Sequence, residues 1–332
     1  MGNTALGGAG AVLPGDVTVP GSVANLGGGF DTLGVAVQVY LRARIVDVRE
    51  DGGTRLVVTR SSPPVKGHNA LERAFHLIAE RTGIKTPTVH VEVESGIPMA
   101  AGLGSSAAAT VAGLRIFEKV AHPLSDRELL AAASSIEGHA DNAAPALFGG
   151  LTSVIADEGH APEALHWTWP DELKLVVATP SVGLATAKAR AALPDHLHRR
   201  DAIFNMQRVL SLVHALQTRD YERLREGVRD RWHQPARSNM VPLLTDVLSL
   251  EDPDVLGAFL SGAGPSIAVI AQQNFERLEQ LLSSMYIGAG HQAVVRTLGV
   301  HHAAASVRAG AEHAGASSTV ARRAPVDSVS GR

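Results

Sequence analysis

Apolar and polar residues alternate along 88–94, Thr-Val-His-Val-Glu-Val-Glu, the two-residue period of a half-buried strand. Leu71, Phe75, Leu77 and Ile78 instead fall at helical spacing within 69–81. Residues 173–178 are an apolar run that reads as a buried strand, and 56–59 are a short β-rich run. An Ala-rich stretch over 107–120 predicts a helix, and 201–216 and 221–230 predict two amphipathic helices. Residues 256–271 read as apolar run, glycine turn, apolar run. These elements follow no regular strand–helix–strand rhythm, so the pattern predicts an α+β chain rather than a doubly wound sheet. Turn formers gather at 157–162 and at Pro170-Asp171, which predicts a domain boundary within 157–172. Domains over 15–168 and 169–308 are therefore expected, with a loose extension over 1–14 and a disordered tail over 309–332.

Composition narrows the classes. The chain has 332 residues, 45% of them hydrophobic, which is enough for a sizeable core in two domains. With no cysteine, disulfides, thiolate metal sites and cysteine nucleophiles are excluded. Formal net charge is −3 with no long basic run, so no nucleic-acid partner is expected. No apolar run approaches ~18 residues, so no membrane span is expected. The first basic residue is Arg42, so a basic secretory segment is missing and a cytoplasmic location is expected.

Four stretches could carry chemistry. Residues 98–109, Pro-Met-Ala-Ala-Gly-Leu-Gly-Ser-Ser-Ala-Ala-Ala, place two glycines and two serines at the start of the Ala-rich helix. A glycine loop opening a helix offers free N–H groups and the positive end of the helix dipole, which suits a phosphate. Ser105 and Ser106 stand where a helix cap would sit. In isolation the stretch could be only a capping turn. The Gly-Lys pair of a P-loop is absent, and a triphosphate with a serine hydroxyl near Mg²⁺ fits better than a dinucleotide. Residues 20–31 hold three glycines between Asn25 and Asp31, either a loop that makes two polar side chains converge or a simple turn. In Glu137-Gly138-His139-Ala140-Asp141-Asn142, two carboxylates four residues apart suit a hard cation or the orientation of a hydroxyl. A lone histidine there reads as a hydrogen-bonding residue rather than a zinc ligand. Residues 260–266, Leu-Ser-Gly-Ala-Gly-Pro-Ser, are a tight turn that could add N–H donors to an anion.

In this order the stretches resemble the GHMP kinases. Residues 98–107 resemble that family's phosphate-binding motif, 261–266 its glycine-rich third motif, and 19–31 its first motif. Glu137 to Pro145 and the segment Arg231-Trp232-His233-Gln234-Pro235-Ala236-Arg237 are nearest the members that act on L-homoserine. The likeness runs from about residue 15 to 308. It implies an N-terminal domain of the ribosomal-protein-S5-domain-2-like type, a ferredoxin-like C-terminal domain, and an active site between them.

The resemblance implies ATP and Mg²⁺ as cofactors and phosphorylation of L-homoserine on the route to threonine. Pro98, Ala100, Ala101, Gly102, Leu103, Gly104, Ser105 and Ser106 would hold the ATP phosphates, and Asn69 would lie near adenine. Ser106 and Glu137 would hold the metal. Asn25 and Asp31 would bind the substrate's amino group. Arg190 and Arg237 would grip its carboxylate, with His139, Thr186 and Gly262 beside them. Asp141 and Asn142 would face the reacting hydroxyl, as orienting groups rather than a strong base. The resemblance also allows a homodimer. A kinase for another alcohol is the competing enzyme reading, and a nucleotide-binding regulator without turnover is the non-enzymatic one.

Overall fold

The computed structural model describes residues 15–64, 69–157 and 160–302. The expected loose extension over 1–14 and the tail over 309–332 lie outside them. The strands are β1 (Val17–Ala24), β2 (Leu33–Arg49), β3 (Arg55–Ser62), β4 (Thr88–Ser95), β5 (Leu151–Ile155), β6 (Glu163–Trp167), β7 (Lys174–Pro180), β8 (Gly257–Leu260), β9 (Ile267–Ala271) and β10 (Ala293–Leu298). The α-helices are α1 (Ala70–Thr82), α2 (Ser105–Val120), α3 (Asp126–Glu137), α4 (Ala143–Phe148), α5 (Thr186–Ala191), α6 (Arg199–Thr218), α7 (Leu224–Gly227), α8 (His233–Arg237), α9 (Leu244–Leu248) and α10 (Phe275–Gly288).

The first sheet has the order β3-β4-β2-β5-β6, with β1 also paired to the long β2. Only β3 and β4 run parallel, and α1 makes the crossover between them. Helix α1 buries Leu71, Ala74, Phe75, Ile78 and Ala79, one stripe at i, i+3, i+4, i+7 and i+8. Helix α2 is buried on nearly every side, which explains its run of small residues. The second sheet has the order β10-β7-β9-β8 and is antiparallel throughout. With α10 between β9 and β10 and helices between β7 and β8, this fourth-first-third-second order is the ferredoxin-like arrangement. Strand β7 is buried on both faces. Leu175 and Val177 belong to the large core that also packs the first sheet, while Val176 and Ala178 pack with Leu278, Leu282 and Tyr286 of α10. The two sheets thus share one unit ending at His302.

Two expectations about helices change, and one stretch read as a turn region holds a strand. The helix predicted over 221–230 is a 3-10 turn (Tyr221–Arg223) followed by the single turn α7. The buried Asp230 side chain accepts hydrogen bonds from the backbone N–H groups of Trp232 and Gln234 and draws the chain off the helical path. Residues 163–167, inside the stretch read as a boundary, form β6 and extend the first sheet. Helix α2 begins two residues before the Ala-rich run, and its N-cap is Gly104, not either serine. No helix among the described residues is long and apolar enough to cross a membrane.

Candidate active site

A cavity of about 300 Å³ is lined by chain segments far apart in sequence. One wall is Ala100 to Gly102 and Gly104 to Ala107, with Ile136 and Glu137. The other gathers Asn25, Phe30, Asp31, His139, Asp141, Asn142, Thr186, Arg190, Arg237 and Gly262.

The first wall is made largely of backbone. Gly102 and Gly104 have φ of 77° and 68°, which favours glycine, and both are closely packed. A Cβ on Gly102 would lie 2.2 Å from the Ser261 carbonyl oxygen, and one on Gly104 would lie 2.0 Å from Ser22 Oγ. No side chain caps the start of α2, so the first amides of that helix remain open toward the cavity end. A serine at the cap would have used one of them; a left-handed glycine uses none. Ser106 and Thr110, one turn apart on α2, both donate to Glu137 Oε1, at 3.0 and 2.7 Å. The glycine turn over 261–266, read as a possible source of further N–H donors, uses most of its amides within the protein itself, while Ala263 lines the cavity. Gly262 N–H donates to Ala24 O, Gly264 N–H to Ser261 O, and Ser266 N–H to Ala101 O. With Ser261 Oγ donating to Gly102 O at 2.6 Å, this turn buttresses the phosphate-type loop from behind.

The second wall is made of charged and amide side chains. Asn25 Nδ2 donates to Gly262 O at 2.9 Å, and its Oδ1 accepts from the Asp31 N–H at 3.1 Å. The three-glycine loop therefore does bring Asn25 and Asp31 together. Arg190 closes a two-point ion pair on Asp31 at 2.9 and 2.6 Å. Asp141, 2% exposed, accepts at Oδ1 from His139 Nδ1 at 2.5 Å and from the Asn142 N–H at 3.0 Å. Burial opposes charge on His139, but the Asp141 carboxylate outweighs it and raises the pKa above the usual histidine value. Ser22 donates to Asn142 Oδ1 at 2.9 Å and so fixes which way that amide faces.

Arg237 is 1% exposed. Its Nε donates to Ala189 O at 3.0 Å and its Nη1 to Gly262 O at 3.1 Å. Burial and the Arg190 charge push its pKa down to about 10. Behind it, His233 is wholly buried. Its pKa is lowered by that burial, so the ring is neutral, donating from Nε2 to Gly27 O at 2.8 Å and accepting at Nδ1 from Arg237.

Three of the expected site residues do not line this cavity. Asn69 is the N-cap of α1, accepting from Leu71 N–H, and lies in an adjoining cavity with Glu72 and His76; Arg73 lines both. Leu103 is buried in the core, and its carbonyl accepts from Ser22 N–H, because an apolar side chain at that point packs inward. Pro98 sets the approach to the loop without reaching the cavity. Glu137 and Asp141, read together from their spacing, part company: Gly138 ends α3 with φ 79°, leaving Glu137 on the α2 side and Asp141 on His139.

Ser22, Thr110, Phe30 and His233 escaped the sequence reading as separate contributors. Thr110 could have been found, since it stands four residues after Ser106 on one helix face. Ser22 could not, because its partner is 120 residues away.

Residues 69–150 match the GHMP kinases N terminal domain, and residues 212–290 match the GHMP kinases C terminal. The chain belongs to the GHMP kinase family, with its two-domain fold. Among curated relatives it is similar to the homoserine kinase of Solibacter usitatus, 36% identical over 277 residues, covering 82% of this chain and 90% of that one. It is likewise similar to the homoserine kinase of Gloeobacter violaceus, 38% identical, covering 82% and 93%. Among solved structures, homoserine kinase from Cytophaga hutchinsonii matches with a TM-score of 0.76 and 25% identity, covering 91% of this chain and 98% of that one.

Proposed function

We propose that this chain transfers the γ-phosphoryl group of ATP to the side-chain hydroxyl of L-homoserine, giving O-phospho-L-homoserine and ADP. One observation carries the reading: uncapped amides at the start of α2 share a single cavity with Asp31, Arg190 and Arg237. Homoserine is a zwitterion with a hydroxyl one short chain away. It needs an anion for its ammonium, guanidinium groups for its carboxylate, and a phosphate cradle at the distance of that chain. In the proposed division, residues 15–168 supply the nucleotide side, and 169–308 lend Thr186, Arg190, Arg237 and Gly262.

The open amides of the loop and helix start hold the nucleotide phosphates against the positive end of α2. Ser106 Oγ and Glu137 Oε1 are hard oxygen donors 3.0 Å apart beside those amides, which fits Mg²⁺. The Asp31, His139 and Asp141 cluster fits it poorly, because Asp31 is taken by Arg190 and an imidazole is a poor partner for that ion. Bound there, Mg²⁺ neutralises charge on the phosphoryl oxygens. Asp31 and Asn25 take the substrate ammonium, and Arg190 and Arg237 its carboxylate. Asn142, held by Ser22, orients the hydroxyl. Asp141 Oδ1 is already held by His139 and the Asn142 backbone, so Asp141 serves to orient the hydroxyl. Alignment and charge neutralisation suffice, since the transition state is loose. The product lies on the route to threonine, and the expected compartment is the cytoplasm.

The test is an ADP-release assay with L-homoserine and a panel of other alcohols, with the product identified by mass. Turnover confined to L-homoserine is expected. Turnover of another alcohol in its place would replace the substrate, and no turnover with any would leave a nucleotide-binding protein.

A further inference from the structure

The Asp31–Arg190 pair joins two groups that the proposed reaction assigns to opposite ends of one substrate. Arg190 Nη1 and Nη2 meet Asp31 Oδ2 and Oδ1 at 2.9 and 2.6 Å, so both carboxylate oxygens and both terminal nitrogens are engaged. The two side chains are 35% and 36% exposed, and both face the cavity. Arg237 differs. Its bonds go to the carbonyls of Ala189 and Gly262 and to His233, and none goes to an acid. Both guanidinium groups lie 5.4 Å from the Phe30 ring centroid, so one aromatic face holds the paired and the unpaired cation side by side. Asp31, His139 and Asp141 offer ligand atoms within 4.8 Å of one another. An Asp31 stripped of Arg190 would therefore confront a second carboxylate across a single imidazole.

We propose that the Asp31–Arg190 ion pair stands in for the substrate's own ammonium and carboxylate, and that the site selects zwitterions because both halves must be replaced together. The proposal rests on the homoserine reading above and deepens it. A zwitterion exchanges one internal ion pair for two new ones and leaves no charge unmatched. A carboxylate alone can take Arg190 only by abandoning Asp31 beside Asp141. An ammonium alone can take Asp31 only by abandoning Arg190 beside Arg237. Taking one partner from this pair leaves the other charge without its counter-ion, a cost that solvent screens in part because both side chains are about one-third exposed. Single-charge analogues are thus rejected by the protein's own pair as well as by the contacts they lack.

This makes a prediction that simple recognition does not. If Asp31 only binds the ammonium, Asp31→Asn harms homoserine and leaves 4-hydroxybutanoate, the analogue without the amine, where it was. If Asp31 also sequesters Arg190, Asp31→Asn raises kcat/KM for 4-hydroxybutanoate in absolute terms, by about tenfold, while homoserine falls. Asparagine tolerates the left-handed backbone at this position (φ 52°) and is nearly isosteric, so the variant should fold. The mirror variant is Arg190→Gln, which frees Asp31 and should raise kcat/KM for 3-aminopropan-1-ol, the analogue without the carboxylate, by a similar factor. The experiment measures both variants and the unaltered chain with all three alcohols at saturating ATP and Mg²⁺. A gain for the matching analogue in either variant supports the proposal. Unchanged or lowered values for both analogues overturn it. Failure of the homoserine reading shows separately, as an unaltered chain that does not phosphorylate homoserine.

Discussion

The two walls of the cavity are built by opposite means. The phosphate-facing wall comes from one short stretch, 100–107 with Leu103 turned into the core, whose working groups are backbone amides, helped by one glutamate from α3. The amino-acid-facing wall is assembled from the loop after β1, the α3–α4 link, α5, α8 and the β8–β9 turn, and its working groups are charged side chains. Phosphate recognition can be local because every peptide unit carries the same donor, and a glycine loop at a helix start is enough to aim several of them. Recognition of a zwitterion cannot be local. Opposite charges must be held at fixed separation, and only tertiary packing can prevent them from simply collapsing onto one another. The Asp31–Arg190 pair shows how near that collapse lies.

The sharpest way to break the contrast is to remove the buried cation of the second wall. Arg237→Ala deletes a buried charge and leaves the carbonyls of Ala189 and Gly262 without their donor. A loss of roughly 4 kcal/mol is expected, or about 10³-fold in kcat/KM for homoserine. Steady-state kinetics should place most of it in KM for homoserine, with KM for ATP changed less than about threefold. An equal rise in both KM values would mean that the walls are not separate.

Glu137→Gln tests the charged side chain of the first wall, to which Ser106 donates. A fall of about 10²-fold in kcat is expected, with a raised Mg²⁺ requirement and little change in KM for homoserine. Titration of activity against Mg²⁺ reads this directly. An unchanged Mg²⁺ requirement would remove Glu137 and Ser106 from the metal.

Gly104→Ala tests whether the first wall is truly a matter of backbone. The new Cβ meets Ser22 Oγ at 2.0 Å in a left-handed conformation, so roughly 2 kcal/mol of stability should be lost, measured by urea unfolding. Because Ser22 carries Asn142, kcat should fall as well.

The smallest effects are on pH, and the half-buried His139 and the buried His233 should act with opposite sign. His139 has a raised pKa through Asp141, so its contribution is fully present below pH about 6.5 and is lost as pH rises through the folded value. His233 has a pKa lowered by burial, so its contribution is present above pH about 6.5 and is lost as pH falls toward the folded value. Stability measured across pH 5–8 should lose its alkaline limb in His139→Gln and its acid limb in His233→Asn. Coincident profiles would show that neither ring titrates differently in the folded state.

Residues 98–106 gave away the anion-binding end without any partner, because glycines, a capping position and a helical run are local properties. The strand over 88–94 and the stripe of α1 were legible for the same reason, since burial on one face imposes a period. Legibility failed where a residue's job is set by something distant. The stretch 221–230 promised one helix and gives a 3-10 turn and the single turn α7, and Ser261 in the turn over 261–266 braces the first loop from 159 residues away.

The sequence by itself determined the class of fold, the phosphate-facing loop and the inventory of charges available for a zwitterion. Only the tertiary structure decided which of those charges meet. Backbone geometry is fixed by a few neighbouring residues, whereas the pairing of Asp31 with Arg190, of Ser22 with Asn142 and of His233 with Arg237 depends on packing two sheets against one core. A charge or amide has no preferred partner until folding has brought one within reach and excluded the water that would otherwise satisfy it.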